Sequence, residues 1–147
     1  MAIDLAIESV KNGGGPFGAL IVKGDQIIAT GTNLVTIQND PTAHAEIIAI
    51  RRACEILGSF QLDGCEIYAS CEPCPMCLGA IYWARPSVVY FAATNTDAAR
   101  AGFDDAYIYQ ELARPYQARA LKTIQVAHER ANESFDLWKR TAERIEY

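Results

Sequence analysis

The chain has 147 residues, of which half are hydrophobic and about a fifth are charged, a composition typical of one globular domain and not of a disordered chain. Its 13 Lys and Arg residues against 18 Asp and Glu give a net charge of -5, which disfavours a nucleic-acid partner, because nucleic acids are held largely by basic side chains. The apolar runs are too short for a membrane helix and the acidic start does not resemble an export signal, so we expect a cytoplasmic protein.

Helical and extended patterns alternate along the chain. In order, they predict a helix over 2–11, a hairpin of strands 17–22 and 26–30, a loop over 33–41, a helix over 43–57, a strand over 66–69, a helix over 73–85, a strand over 87–92, a helix over 104–112, a strand over 123–127 and a helix over 132–145. Gly58 is the predicted C-cap of the second helix. This order predicts an α/β fold, a three-layer α/β/α sandwich with a mixed five-stranded sheet.

Two of these segments carry more specific expectations about burial. In the first helix, Ile3, Ala6, Ile7 and Val10 share one face, which we expect to pack on the sheet. The run SVVYFA over 87–92 is rich in β-branched and aromatic residues, and we expect it to form a buried strand.

Three of the five cysteines, Cys71, Cys74 and Cys77, fall within seven residues. An odd number of cysteines without an export signal indicates a reducing compartment. The clustering therefore indicates metal binding or redox chemistry rather than a disulfide framework.

Two short motifs lie at the starts of predicted helices: His44-Ala45-Glu46 and Pro73-Cys74-Pro75-Met76-Cys77. One histidine and two cysteine thiolates are ligands of zinc, and three protein ligands leave a fourth tetrahedral position for water. Cys74 and Cys77 are three residues apart and share a helix face, whereas His44 and Glu46 do not. We therefore expect a zinc site off the helix ends, with Glu46 as a general acid–base beside the metal rather than a ligand.

Two other interpretations of these motifs stay open. Cys71 could be a fourth ligand of a purely structural zinc in a module that binds a protein partner, but that leaves Glu46 unexplained. A redox cysteine pair would leave His44 unused. Taken together, the motifs match H-x-E…P-C-x-x-C, the signature of zinc-dependent nucleobase deaminases.

On these motifs the chain resembles the cytidine deaminase-like superfamily and, within it, the bacterial guanine deaminases. The resemblance covers nearly the whole chain, through GGPFGA (14–19), NDPTAHAE (39–46), SCEPCPMCLGAIYWAR (70–85), TDAARAGFDD (96–105) and the final Glu146-Tyr147. The tRNA adenosine deaminases share HAE and EPCxMC but usually have a more basic surface. A tRNA adenosine deaminase, or another nucleobase or aminopurine deaminase, is therefore the alternative to a guanine deaminase.

The resemblance implies one deaminase domain over 1–147 that binds one zinc ion and converts guanine to xanthine and ammonia, a step of purine metabolism. A zinc-activated hydroxide would attack C2 of guanine while Glu46 shuttles protons. The implied substrate contacts are Asn33, Asp105 and Tyr147 at the polar edges, Phe17 and Trp83 on the ring faces, and backbone amides near Ala45 and Cys74. The resemblance also implies a homodimer, with the C-terminal segment swapped so that Tyr147 closes the other subunit's site.

Each substrate contact has a simpler interpretation when the residue is taken alone. Asn33 could be a turn residue, and Asp104-Asp105 could be an acidic pair at a helix start. Phe17 could belong to the core, and Trp83 could lie on an apolar helix face.

Overall fold

The computed structural model describes residues 1–103 and 105–147. Its elements are α1 (Ala2–Lys11), β1 (Gly15–Lys23), β2 (Gln26–Asn33), α2 (Val35–Gln38), α3 (Ala45–Leu57), β3 (Cys65–Cys71), α4 (Pro75–Ala84), β4 (Val88–Ala93), α5 (Asn95–Arg100), α6 (Asp105–Ala113), a 3₁₀ turn (Tyr116–Ala118) and α7 (Glu133–Arg140). The predicted helix at 104–112 is confirmed as α6 from Asp105 onward, and Asp104 lies outside the described residues.

The strands form one mixed sheet in the order β2-β1-β3-β4. β1 pairs antiparallel with β2 and β3, and β3 pairs parallel with β4 through a crossover that contains α4. The mixed α/β sheet agrees with the prediction, but the sheet has four strands among the described residues, not five. The predicted fifth strand is wrong, because residues 123–127 adopt no regular structure and pair with none of these strands.

Two glycines show that helices cover both faces of the sheet. An added Cβ on Gly18 of β1 would lie 2.5 Å from the Ala2 carbonyl oxygen of α1, and one on Gly31 of β2 would overlap the Ala45 backbone of α3. Gly31 pairs with Ala19, the next residue after Gly18, and successive residues of a strand point to opposite faces. Hence α1 and α3 lie on opposite faces, and this part of the fold has three layers.

The main core lies between the sheet and the α3 face. Ile21 and Ile67 of the sheet are fully buried there, together with Ala49 and Ala53 of α3. The helix ends where predicted, because Gly58 adopts the left-handed conformation with φ of 61° that a helix C-cap requires. The predicted helix over 43–57 is thus confirmed as α3, with its C-cap at Gly58.

The opposite face is covered differently from the prediction. Of the four apolar side chains of α1 that we expected to pack on the sheet, only Ala6 is buried. Ile3, Ile7 and Val10 are each about half exposed. The SVVYFA strand is also not buried. It forms β4 at the edge of the sheet, where Tyr90 and Phe91 are 47% and 49% exposed.

The chain divides into two compact units, Met1–Tyr109 and Gln110–Tyr147. The first contains the sheet and the helices α1–α5. In the second, no residue is buried, and α7 is shorter than the helix predicted at 132–145. No helix among the described residues is long and apolar enough to cross a membrane.

Candidate active site

The start of each of two helices supplies predicted metal ligands. His44 is the N-cap of α3 and Cys74 is the N-cap of α4, both with extended backbone conformations. Pro75 occupies the first turn of α4, where its fixed φ suits a helix start, and Cys77 follows in the same turn. The two motifs therefore lie at helix N-termini, as their sequence predicted.

The side chains of His44, Cys74 and Cys77 form a compact cluster. His44 Nδ1 lies 3.5 Å from the Sγ atoms of both Cys74 and Cys77, and the three ligand atoms all lie within 4.8 Å of one another. A tetrahedral zinc with Zn–S of about 2.3 Å and Zn–N of about 2.05 Å would hold such nitrogen and sulfur atoms about 3.6 Å apart. The cluster therefore fits a zinc ion in spacing and in ligand type.

The electrostatics of the cluster favour one ionised thiol even without a metal. The pKa of Cys74 is lowered to about 4, because Cys77 donates hydrogen bonds to its Sγ and His44 lies beside it. The pKa of His44 is raised, first by its hydrogen bond to Cys74, although burial opposes the shift. A thiolate beside this imidazole is the donor set that zinc prefers.

Glu46 lies next to this cluster and is almost completely buried, with 6% of its surface exposed. Its Oε2 is 3.5 Å from Cys77 Sγ. Burial raises the pKa of this carboxyl group above its ordinary value, because the charged form is poorly solvated there. A carboxyl group beside a metal site can both accept and return a proton during a reaction.

The cluster opens into a cavity of about 320 Å³. The cavity is lined by Gly14, Gly15, Phe17, Asn33, Val35, Thr36, His44, Glu46, Glu72, Cys74, Phe103 and Asp105. The fold thus brings Asn33, Asp105 and Phe17, three of the predicted substrate contacts, to the same cavity as the predicted metal ligands. All three lie outside the zinc motifs in the sequence.

Asn33 is held in place by several neighbours. Its Oδ1 accepts a hydrogen bond from the Val35 N–H at 3.3 Å, and its carbonyl oxygen accepts one from the Ser9 hydroxyl at 3.3 Å. An added Cβ on Gly15 would lie 2.9 Å from the Asn33 side chain, so only glycine fits beside it. With its oxygen engaged by the chain, the Asn33 side chain can offer its N–H donors to a ligand.

Phe17, the predicted aromatic contact in this cavity, packs against a second aromatic residue that the sequence analysis did not identify. Phe17 packs edge-on against Phe103, with ring centroids 4.9 Å apart. The sequence also missed Glu72, Thr36 and Phe103 as lining residues. Glu72 and Phe103 lie within the quoted segments SCEPCPMC and GFDD, but periodicity could not show that their side chains face a cavity.

The remaining predicted contacts do not line this cavity. Trp83 lies on α4 and is 63% exposed, and Ala45 is fully buried at the first position of α3. Tyr147 lies in the Gln110–Tyr147 unit, where its ring is in edge contact with Trp138. The roles of these three residues stay predictions.

Cys71, the alternative fourth ligand, is separate from the metal cluster. Its Sγ donates to the Thr94 carbonyl oxygen at 3.5 Å, and the described group of candidate ligand atoms comprises only His44, Cys74 and Cys77. The structure therefore favours a three-ligand site over a closed structural one, because only three ligands leave a position for water.

Comparison with known proteins agrees with this geometry. Residues 1–93 match the family described as the cytidine and deoxycytidylate deaminase zinc-binding region. The chain is 56% identical to the guanine deaminase of Bacillus subtilis over 99% of this chain and 94% of that protein. The crystal structure of that enzyme superposes with a TM-score of 0.97 over the same shares of the two chains.

More distant relatives match less of the chain. A structure of guanine deaminase from Nitrosomonas europaea is 36% identical, with a TM-score of 0.68 over 71% of this chain and 61% of that one. A tRNA-specific adenosine deaminase of Aquifex aeolicus is 43% identical, but over only 65% of this chain and 63% of that protein. The chain therefore belongs to the cytidine and deoxycytidylate deaminase family of zinc-binding proteins, and within it to the branch of the bacterial guanine deaminases.

Proposed function

We propose that this protein catalyses the hydrolytic deamination of guanine to xanthine and ammonia, with zinc as its cofactor. The observation that carries the proposal is a single cavity that is lined by two members of the metal cluster, His44 and Cys74, together with the buried Glu46 and with the polar residues Asn33 and Asp105. The similarity to the Bacillus subtilis guanine deaminase extends over 99% of the chain, whereas the similarity to the tRNA-specific adenosine deaminase of Aquifex aeolicus covers 65%. The tRNA alternative is therefore not favoured.

The zinc ion would be held by His44, Cys74 and Cys77. When bound, it supplies a Lewis acid that lowers the pKa of a water molecule in the open coordination position. The two thiolates offset the charge of the ion, and the position of both helix N-termini beside the cluster favours their ionised form.

Glu46 moves the protons that the reaction requires. C2 of guanine gains the oxygen of water and loses its amino nitrogen as ammonia, so one proton must reach ring nitrogen N3 and another must reach the departing amine. Glu46 would take one proton from the water and deliver it to N3. It would then take the second proton from the hydroxyl group now on C2 and pass it to the departing amine, so that ammonia leaves and C2 keeps a carbonyl oxygen. The raised pKa of this buried carboxyl group suits both directions of transfer.

The other side chains of the cavity suit a flat base with donors on one edge and acceptors on another. Guanine presents N–H donors at N1 and at the 2-amino group, which a carboxylate such as Asp105 can accept, and acceptors at O6 and N7, to which the Asn33 amide can donate. Phe17 offers an aromatic ring to the base. The backbone N–H groups near Ala45 and Cys74 lie at helix starts, where they can stabilise developing negative charge.

The proposed activity is tested by ammonia release from guanine, cytosine, cytidine, adenine and tRNA with the zinc-loaded protein. We expect ammonia from guanine and little from the other four. Turnover of tRNA, with binding that weakens steeply as salt is raised, would instead identify an RNA-editing deaminase.

We also propose that the protein is a cytoplasmic homodimer with a swapped C-terminal segment, in which Tyr147 closes the active site of the other subunit. Two separate observations support this. The Gln110–Tyr147 unit buries none of its residues, so it lacks a core of its own, and α7 exposes Phe135, Leu137 and Trp138. On the first unit, α1 exposes an apolar face of its own. Exchange of an identical element would bury such surfaces at low cost.

The proposed cytoplasmic location rests on the cysteines. All five cysteines are free, which agrees with a reducing compartment.

The swap is tested with two damaged chains. Deletion of Tyr147 should leave the zinc and the dimer intact but sharply reduce kcat/KM for guanine, because the cap excludes water around the base. Mixing this chain with an Asp105→Ala chain should restore part of the activity, because one site of the mixed dimer then has both residues intact. No recovery, in a mixture shown to exchange subunits, would mean that the tail acts on its own chain or not at all.

A further inference from the structure

Glu72 lines the active-site cavity, and the chain fixes it at two points. Its backbone N–H donates to the Ala93 carbonyl oxygen at 2.9 Å, and its side-chain Oε2 accepts the Asn95 N–H at 3.0 Å. These bonds tie the residue to the start of α5. The carboxylate is therefore held on the wall of the cavity rather than left to swing into solvent, and neither bond is needed to bind the metal.

The charged groups around this carboxylate are mostly acidic. Three carboxyl groups line the cavity, those of Glu46, Glu72 and Asp105, and none of its described lining residues is a lysine or arginine. A zinc ion would not reverse this sign, because the thiolates of Cys74 and Cys77 offset its two charges. A ligand that enters the cavity thus meets a net negative surface in a partly buried setting, where like charges repel much more strongly than in water.

The proposed reaction converts a neutral purine into one that can be negatively charged, and a negative surface disfavours the charged form. The substrate guanine is neutral near neutral pH and presents N–H donors. The product xanthine has exchanged the 2-amino group for a carbonyl oxygen, and it is a weak acid that readily becomes an anion. We propose that Glu72 is a specificity-determining residue that disfavours anionic purines, and so weakens the hold of the site on its own ionised product. This inference rests on the proposed function.

The test compares two purines that lack the reactive amino group. Xanthine and hypoxanthine are titrated calorimetrically into the zinc-loaded protein at one mildly alkaline pH, at which xanthine is mainly an anion and hypoxanthine is mainly neutral. Glu72→Gln removes the charge but keeps an oxygen that can accept the Asn95 N–H. Glu66→Gln is the matched control, because Glu66 lies on β3 outside the cavity, with its carboxylate bonded to the Tyr68 hydroxyl.

We expect the ratio of the Kd of xanthine to that of hypoxanthine to fall about tenfold in Glu72→Gln, the size of effect that one like charge several ångströms away produces in a partly solvated site. The ratio should stay at the parent value in Glu66→Gln. Glu72→Ala should show the same fall as Glu72→Gln, since both lose the charge.

Three results would overturn the inference. These are an unchanged ratio in Glu72→Gln, an equal fall in Glu66→Gln, which would indicate a bulk charge effect, and a fall confined to Glu72→Ala, which would indicate a displaced loop. Guanine turnover by the parent protein is measured on the same preparation. Absence of that turnover would contradict the proposed function, whereas turnover with any of the three results would overturn only the role of Glu72.

Discussion

Replacement of Glu46 by glutamine is the most informative single perturbation of the site. The side chain is 6% exposed and lies 3.5 Å from Cys77 Sγ, so it is buried beside the metal cluster. Glutamine has nearly the same shape but cannot take up or return a proton. One proton transfer by a positioned side chain contributes about 10²–10⁴-fold, and Glu46 is required for more than one. We therefore expect kcat to fall about 10⁴-fold, equivalent to about 5.5 kcal/mol of transition-state stabilisation.

The same substitution should leave the other properties of the site in place. Glu46 is not one of the three clustered ligand atoms, so the zinc content should stay at about one ion per chain. A neutral amide also avoids the desolvation that raises the pKa of the carboxyl group, so folding should not suffer from an unpaired buried charge.

The assay combines steady-state guanine turnover, zinc analysis and guanine binding at equilibrium. Glu55→Gln is the matched control, because Glu55 lies on the same helix but is exposed, and it should keep the parent kcat. Retention of more than a tenth of the parent kcat in Glu46→Gln would refute its role as proton shuttle. Loss of zinc in that variant would show instead that Glu46 supports the metal.

The remaining predictions concern the metal, the base and a helix cap. Metal analysis should show that Cys71→Ser keeps zinc and that Cys74→Ser loses it, because Cys71 bonds to a backbone carbonyl outside the cluster. Zinc loss in the Cys71 variant would mean that a ligand is misassigned. Asp105→Ala should reduce kcat/KM for guanine about 10- to 150-fold, the cost of a charged hydrogen bond of about 1.5–3 kcal/mol, and far more than the same change at Asp104; equal small effects would argue for a helix-start role. The pKa of Asp97 is lowered because the Thr94 N–H and hydroxyl donate to its carboxylate, so its contribution to stability is present above the unfolded pKa of about 3.8 and is lost as the pH falls further. The stability advantage of the parent over Asp97→Asn in urea unfolding should therefore shrink below that pH, and an advantage that grows on acidification would contradict this sign.

The sequence predicted most accurately where local signals and burial agree. The second and third predicted helices correspond to α3 and α4, since Gly58 supplies a left-handed C-cap and Pro75 a helix start. The metal ligands were predictable for the same reason, because motifs at two helix starts can meet only off the helix ends. The meeting of Asn33 and Asp105 in one cavity could be expected only from the family resemblance, since nothing in their spacing brings them together.

The wrong predictions concern burial and strand formation, which depend on contacts between distant parts of the chain. SVVYFA has the apolar run of a buried parallel strand, but at the edge of the sheet it is half exposed, and only its position in the strand order reveals this. The residues at 123–127 have strand-like side chains but adopt no regular structure. In contrast, α5 was missed although its signal is present, a capping box formed by Thr94 and Asp97.

The most direct test of a zinc-dependent guanine deaminase is to follow one preparation through removal and return of the metal. Xanthine and ammonia formed from guanine are measured in the purified protein, after a chelator has removed the zinc, and after stepwise addition of zinc. We expect equal amounts of the two products, loss of activity with the metal, and full recovery at about one zinc per chain. Undiminished guanine turnover in the zinc-free protein, or a zinc-loaded protein that releases no ammonia from guanine, would contradict the assignment.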